Sequence, residues 1–216
     1  MKTSFLSFSL MLCCVFLFTQ CKKDDTTTPT NPTSNYSPLT VGSNWTYNYS
    51  DGSSSGTVKL TVTDKDTTIN NKTYKVLSSS DNSGNNYLAK IDSNYYRFST
   101  FPAIGSFEEL YLKDNRPVGS TWQNSVPFTL PGSPAPLTAD LIYTVKETGA
   151  SHTVNGKSYN DVIHIKVDVT VLTINFGGGD FFYAKDVGMI ESSISLNPPG
   201  LAPYQSTEQL VSSEIK

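Results

Sequence analysis

One five-residue phrase occurs twice in this chain and limits what the chain can fold into. Val41-Gly42-Ser43-Asn44-Trp45 returns as Val118-Gly119-Ser120-Thr121-Trp122, with Pro38 and Pro117 just upstream. Each copy is followed by runs of alternating apolar and polar residues and then by a hairpin phrase. That phrase is Asn71-Lys72-Thr73-Tyr74 in the first half and Gly156-Lys157-Ser158-Tyr159 in the second. Tyr87-Leu88-Ala89-Lys90 is echoed by Tyr183-Ala184-Lys185. Matched phrases in the same order, at growing spacing, predict two similar β units, about 38–115 and 116–216, with loops inserted between fixed strands.

The runs between these phrases have period two. Trp45, Tyr47 and Tyr49 share one parity, as do Val58, Leu60 and Val62. Ile163, Ile165, Val167, Val169 and Val171 alternate with His164, Lys166, Asp168 and Thr170. Such alternation of β-branched and aromatic residues marks half-buried strands. Asn155-Gly156 is the strongest hairpin signal, because both residues tolerate the positive φ of a type I′ turn. Gly177-Gly178-Gly179 reads as a loop tip, and Val126 to Pro136, with four prolines, as a loop or at best an edge strand. No segment after residue 21 has a 3.6-residue apolar pattern. The expected fold is all-β: an antiparallel curved sheet, sandwich or barrel-like, over 38–216.

The first 37 residues have another texture. Lys2 is followed by an apolar run from Phe5 to Phe18, shorter than the ~20 residues a membrane span needs and suited to the core of a secretory signal. Cys21 follows this segment at once, and Lys22-Lys23-Asp24-Asp25 follows Cys21. Thr, Pro, Asn and Ser dominate from Thr26 to Ser37, a composition that buries too little to offset its ordering entropy. As a flexible tether, Lys22 to Ser37 would span roughly 20–24 Å.

The Cys21 junction resembles that of Bacteroidota-type lipoproteins, although Gln20 stands where a small residue is usual. The resemblance implies a signal peptide over 1–20, lipid attachment at Cys21 and a tether over 21–37. It also implies a lipid bilayer as a partner, held through the acylated cysteine at the outer membrane, on the cell surface or the periplasmic face. Two acyl chains hold a protein stably where one does not. The later phrases Pro38 to Tyr47, Asn155 to Tyr159 and Tyr183 to Ile190 are similar, in order and spacing, to a broad group of secreted bacterial proteins with no assigned activity.

Nothing in the mature chain rises to a catalytic motif. The chain has three cysteines; Cys13 and Cys14 leave with the signal and Cys21 is taken by lipid, so no disulfide or thiolate metal site remains. The only histidines, His152 and His164, read as surface residues. Asp81-Asn82-Ser83-Gly84-Asn85-Asn86 fails as a calcium loop because its glycine is misplaced. Glu108-Glu109 with Asp140 is the one acid set to weigh for a glycosidase. Gly177-Gly178-Gly179-Asp180 lacks the Lys-Ser/Thr of a phosphate loop. Without Lys2, 15 basic residues face 19 acidic ones, and no basic stripe suits nucleic acid. Tyr47, Tyr49, Tyr74, Tyr87, Tyr95, Tyr96, Tyr111 and Tyr143 read as strand packing first and as a ligand platform second.

The sequence thus predicts a membrane-anchored binding or assembly module without catalytic residues, metal or cofactor, with a glycan or protein ligand as the expected partner. The alternatives are a carbohydrate-active enzyme or peptidase assembled across strands, and a purely structural envelope spacer.

Overall fold

The computed structural model describes residues 34–81, 83–101, 105–128, 135–198 and 202–216. The compact unit begins at Ser34. Alternation along the chain becomes twelve strands, each with one face turned inward. They are β1 (Asn44–Ser50), β2 (Ser55–Ile69), β3 (Lys72–Ser79), β4 (Asn85–Ile91), β5 (Asn94–Phe101) and β6 (Gly105–Lys113) in the first half. The second half holds β7 (Thr121–Phe128), β8 (Leu137–Val154), β9 (Lys157–Val171), β10 (Ile174–Ala184), β11 (Gly188–Leu196) and β12 (Tyr204–Glu214). The all-β expectation is borne out.

All twelve strands form one antiparallel sheet in the order β6-β5-β4-β3-β2-β1-β12-β11-β10-β9-β8-β7. Two six-stranded meanders are joined where β1 pairs with β12, from Asn44 opposite Glu214 to Ser50 opposite Thr207. The sheet curls into a nearly closed barrel whose two ends, β6 and β7, meet through side chains. Trp122 Nε1 and Asn124 Nδ2 donate to the Leu110 carbonyl at 2.7 and 3.2 Å, and the Leu110 N–H donates to Asn124 Oδ1 at 3.4 Å. Curling removes most of the exposed edge of the sheet. Pro127 is accommodated because β7 is an end strand.

The repeated phrase has the same local structure in both places. Gly42 and Gly119 have φ of 87° and 86°, where a glycine is favoured. Gly42 N–H donates to Val62 O at 2.9 Å and Val62 N–H to Ser43 O at 2.9 Å. Gly119 N–H donates to Val145 O at 2.8 Å and Val145 N–H to Ser120 O at 3.0 Å. Each phrase thus staples the start of one strand to the middle of the next. The hairpin phrases also correspond: Asn70-Asn71 and Asn155-Gly156 make two-residue turns with positive φ at both positions.

Three differences from the sequence reading stand out. Gly177-Gly178-Gly179 is not a loop tip; it lies within β10, paired to β9 and β11. The β9–β10 turn is instead Leu172-Thr173, at φ of 49° and 70°. Tyr36 and Ser37, counted with the tether, belong to the barrel. Tyr36 is 7 % exposed and its N–H donates to Tyr95 Oη at 3.1 Å. Lys90 Nζ and the Asp186 N–H hold the Ser34 and Asn35 carbonyls at 2.7 and 2.6 Å, so this segment plugs one end of the barrel.

Candidate functional site

Directly above the plug the barrel is hollow. The cavity has a volume of about 160 Å³ and is lined by Tyr36 and Ser37 of the plug and by side chains from strands around the barrel. Trp45, Tyr47, Tyr111 and Tyr183 supply aromatic walls, and Leu60, Leu77, Leu88 and Met189 aliphatic ones. Two charged residues line it, Arg97 from β5 and Glu208 from β12.

Arg97 is committed to a neighbour. Its Nε and Nη2 donate to Glu109 Oε2 at 3.0 and 2.6 Å, and Tyr143 Oη donates to Glu109 Oε1 at 2.5 Å. Glu109 is 4 % exposed, so its charge depends on these partners. The Arg97 side chain keeps 35 % of its surface, and that surface faces the cavity. Burial works against the guanidinium charge, but the adjacent Glu109 carboxylate outweighs it and raises the Arg97 pKa. Burial holds the Tyr143, Tyr47 and Tyr183 hydroxyls well above the ordinary phenol value. The Tyr111 hydroxyl, hydrogen-bonded to Ser37, is pushed up to about 12, chiefly by burial. All four tyrosines are therefore neutral hydrogen-bonding groups at physiological pH.

Glu208 differs from Glu109. Among the described residues its carboxyl has no hydrogen-bond partner, although it is half-buried and shares the cavity with Arg97. Burial raises its pKa, with Arg97 opposing. The folded state therefore binds this proton more tightly than the unfolded chain, whose glutamates titrate near ~4.3. Stability from this group is full below that value and is lost as pH rises through the folded pKa. Glu208→Gln is accordingly expected to raise the melting temperature at pH 7 and to leave it unchanged near pH 3.5. Thermal unfolding followed by circular dichroism at the two pH values checks this; a destabilised variant at pH 7 would contradict it.

The structure scatters the acids that the sequence grouped. Glu109 faces inward, while Glu108 faces outward and accepts from Lys72 Nζ at 2.8 Å. Asp140 lies on the outer face, where Ser125 Oγ donates to it at 2.6 Å. Asp81 caps its own turn, accepting from Ser79 Oγ at 2.6 Å and Ser83 N–H at 2.9 Å; Asn82 lies outside the described residues. No group of three His, Cys, Asp or Glu side chains suited to a metal exists among the described residues. Cys21 also lies outside the described residues.

The histidines are not free surface residues. His152 and His164 stack on Phe182 with centroids 3.9 and 4.3 Å away, near parallel. Their Nε2 atoms bond Glu191 at 2.5 Å and Asp180 at 2.7 Å. Val154 and Tyr159 pack with Ala184, Ile190 and Leu210, and Asn155 Nδ2 donates to the Leu210 carbonyl at 3.0 Å. The stack is thus a clasp that holds the long β8–β9 hairpin over β10–β12. A wider open groove, about 480 Å³, lies over Gly177–Gly179. It is a shallow depression left by three missing side chains, between Lys166 and Asp168 on one side and Ser193 and Ser195 on the other.

Sequence reasoning missed Arg97, Glu208 and the inward role of Glu109. The phrases noted for their order do meet in space. Trp45 Nε1 donates to Val187 O at 2.6 Å and Tyr47 Oη to Met189 O at 2.9 Å, tying the first phrase to the Tyr183–Ile190 phrase.

No protein-family model matches the chain, and no curated protein matches it. Several solved structures align with it. A provisionally assigned lipoprotein of Parabacteroides distasonis aligns at 12 % identity and TM-score 0.47, over 84 % of this chain and 99 % of that one. An exported protein of Bacteroides fragilis, described as having a YmcC-like fold, aligns at 12 % identity and TM-score 0.41, over 82 % and 97 %. The hypothetical lipoprotein YmcC of Escherichia coli aligns at 13 % identity and TM-score 0.39, over 80 % and 85 %. Similarity at this level carries no activity or ligand from those proteins to this chain.

Proposed function

We propose that this protein is a lipid-anchored module of the cell envelope that binds a small ligand in its barrel lumen and does not transform it. Two similar β units build the barrel, and the acylated Cys21 holds it at the outer membrane. The observation that carries the binding reading is the hollow beneath Trp45 and Tyr47, lined by Glu208 and Arg97. Protein interiors are normally close-packed, and Glu208 is a half-buried carboxyl that shares this hollow without a hydrogen-bond partner among the described residues. A lumen that keeps both features is organised to receive something. The anchor reading rests on the apolar run ending at Gln20 and on the polar tract after Cys21.

Intact-mass analysis with cell fractionation tests the anchor. A chain beginning at Cys21 and carrying a diacyl or triacyl mass is expected in the membrane fraction, with Cys21→Ser carrying no acyl mass. A wild-type chain without an acyl mass, or a Cys21→Ser chain that keeps one, would sink the reading. Protease shaving of intact cells then decides between surface display and the periplasmic face.

A further inference from the structure

We propose that the lumen takes a small organic cation, an amine or ammonium group seated against Glu208. The inference rests on the binding reading above and names the ligand class for that cavity. Three observations converge on it.

The first is charge. Arg97 spends two donors on Glu109, and Tyr143 takes the other Glu109 oxygen, so that group is internally neutralised. Glu208 is the remaining charged residue of the lining and has no hydrogen-bond partner among the described residues. An anion would meet Glu208 in the same cavity, beside a guanidinium whose charge already holds Glu109. A cation meets a half-buried carboxylate that folding has already desolvated in part, so the charge-assisted contact is gained at reduced further cost.

The second is the wall. Tyr47, Tyr111 and Tyr183 surround the space, and aromatic faces attract cations most strongly where water is excluded. Arg97 itself lies over the Tyr111 ring at 5.9 Å, which shows the environment tolerating a cation on an aromatic face. A metal ion suits the site poorly. Hard cations take six or more oxygens, whereas this lining offers one free carboxylate among rings and aliphatic chains.

The third is size. About 160 Å³ equals the share of liquid volume of roughly five waters, which suits a head group or a short chain and not a sugar polymer.

Isothermal titration calorimetry on the full chain in detergent micelles tests this with n-butylammonium, n-butanol and butyrate. Glu208→Gln and Leu88→Trp serve as variants; the first removes the charge, the second fills the lumen. The expected result is that butylammonium binds the wild type, at least tenfold more weakly in Glu208→Gln and not at all in Leu88→Trp, with butyrate silent. If butanol or butyrate binds as tightly as the amine, or if Glu208→Gln keeps full affinity, while Leu88→Trp still abolishes binding, the cation class is wrong and the lumen site stands. If none of the three binds the wild type, or Leu88→Trp binds as the wild type does, the proposal falls and the lumen-binding reading falls with it.

Discussion

Arg97→Met is expected to destabilise the protein by about 2–4 kcal/mol, somewhat less than the loss of a fully buried ion pair because the Arg97 side chain keeps 35 % of its surface. The loss comes from the partner left behind. Glu109 is 4 % exposed and receives both Arg97 Nε and Nη2, so removing the guanidinium strands its charge among β5, β6 and β8. Adding Glu109→Gln in the same chain should restore most of the stability, because a neutral amide keeps an acceptor for Tyr143 Oη and carries no uncompensated charge. Urea unfolding of the two variants checks both halves. A loss under ~1 kcal/mol for Arg97→Met, or no recovery in the double variant, would show that the pair contributes little.

Gly178→Ala should cost about 3 kcal/mol, at the upper end of what overpacking does, because the obstruction is main chain. A methyl group at Gly178 would stand 1.9 Å from the Val167 carbonyl oxygen, and one at Gly177 2.2 Å from that of Ser195. Neither neighbour can swing aside as a side-chain tip can, so the β9–β10–β11 ladder must spread. Gly149 provides the control. Unlike Gly178 it has positive φ, 69°, but nothing lies within 4 Å of an added methyl group. Gly149→Ala should therefore lose only the ~1–2 kcal/mol of a left-handed alanine. Equal losses at the two sites would remove the close-approach argument.

Much of the fold was legible in the residues. Period-two alternation revealed the strands, Asn155-Gly156 its turn, and the twin Val-Gly-Ser phrases two staples with matching hydrogen bonds. Three physical effects hid the rest. Glycines read as punctuation, whereas Gly177–Gly179 serve close strand approach. Leu172-Thr173 turns the chain with residues that disfavour positive φ, so no turn chemistry announced it. Strand length hid the clasp, because nothing local in His152 or His164 says that a long hairpin will fold over Phe182.

The lumen site was hidden for a related reason. Arg97 shares its parity with the buried Tyr95, and Glu208 shares its with the buried Leu210, which is the signal available in the sequence. Bulges between Tyr95 and Tyr96 and between Thr46 and Tyr47 break the count that would have made it usable. Adjacent Glu108 and Glu109 must face opposite ways in a strand, but only the register with Arg97 says which one turns inward.

The most direct test of the lumen as a binding site is methyl NMR of the full chain with labelled Leu and Met, titrated with the small amine, alcohol and acid series. The account predicts shifts at Leu60, Leu77, Leu88 and Met189 for at least one probe, with the exposed Leu172 unmoved. Shifts confined to Leu172 and other outer methyls, or no shift with any probe, would contradict it.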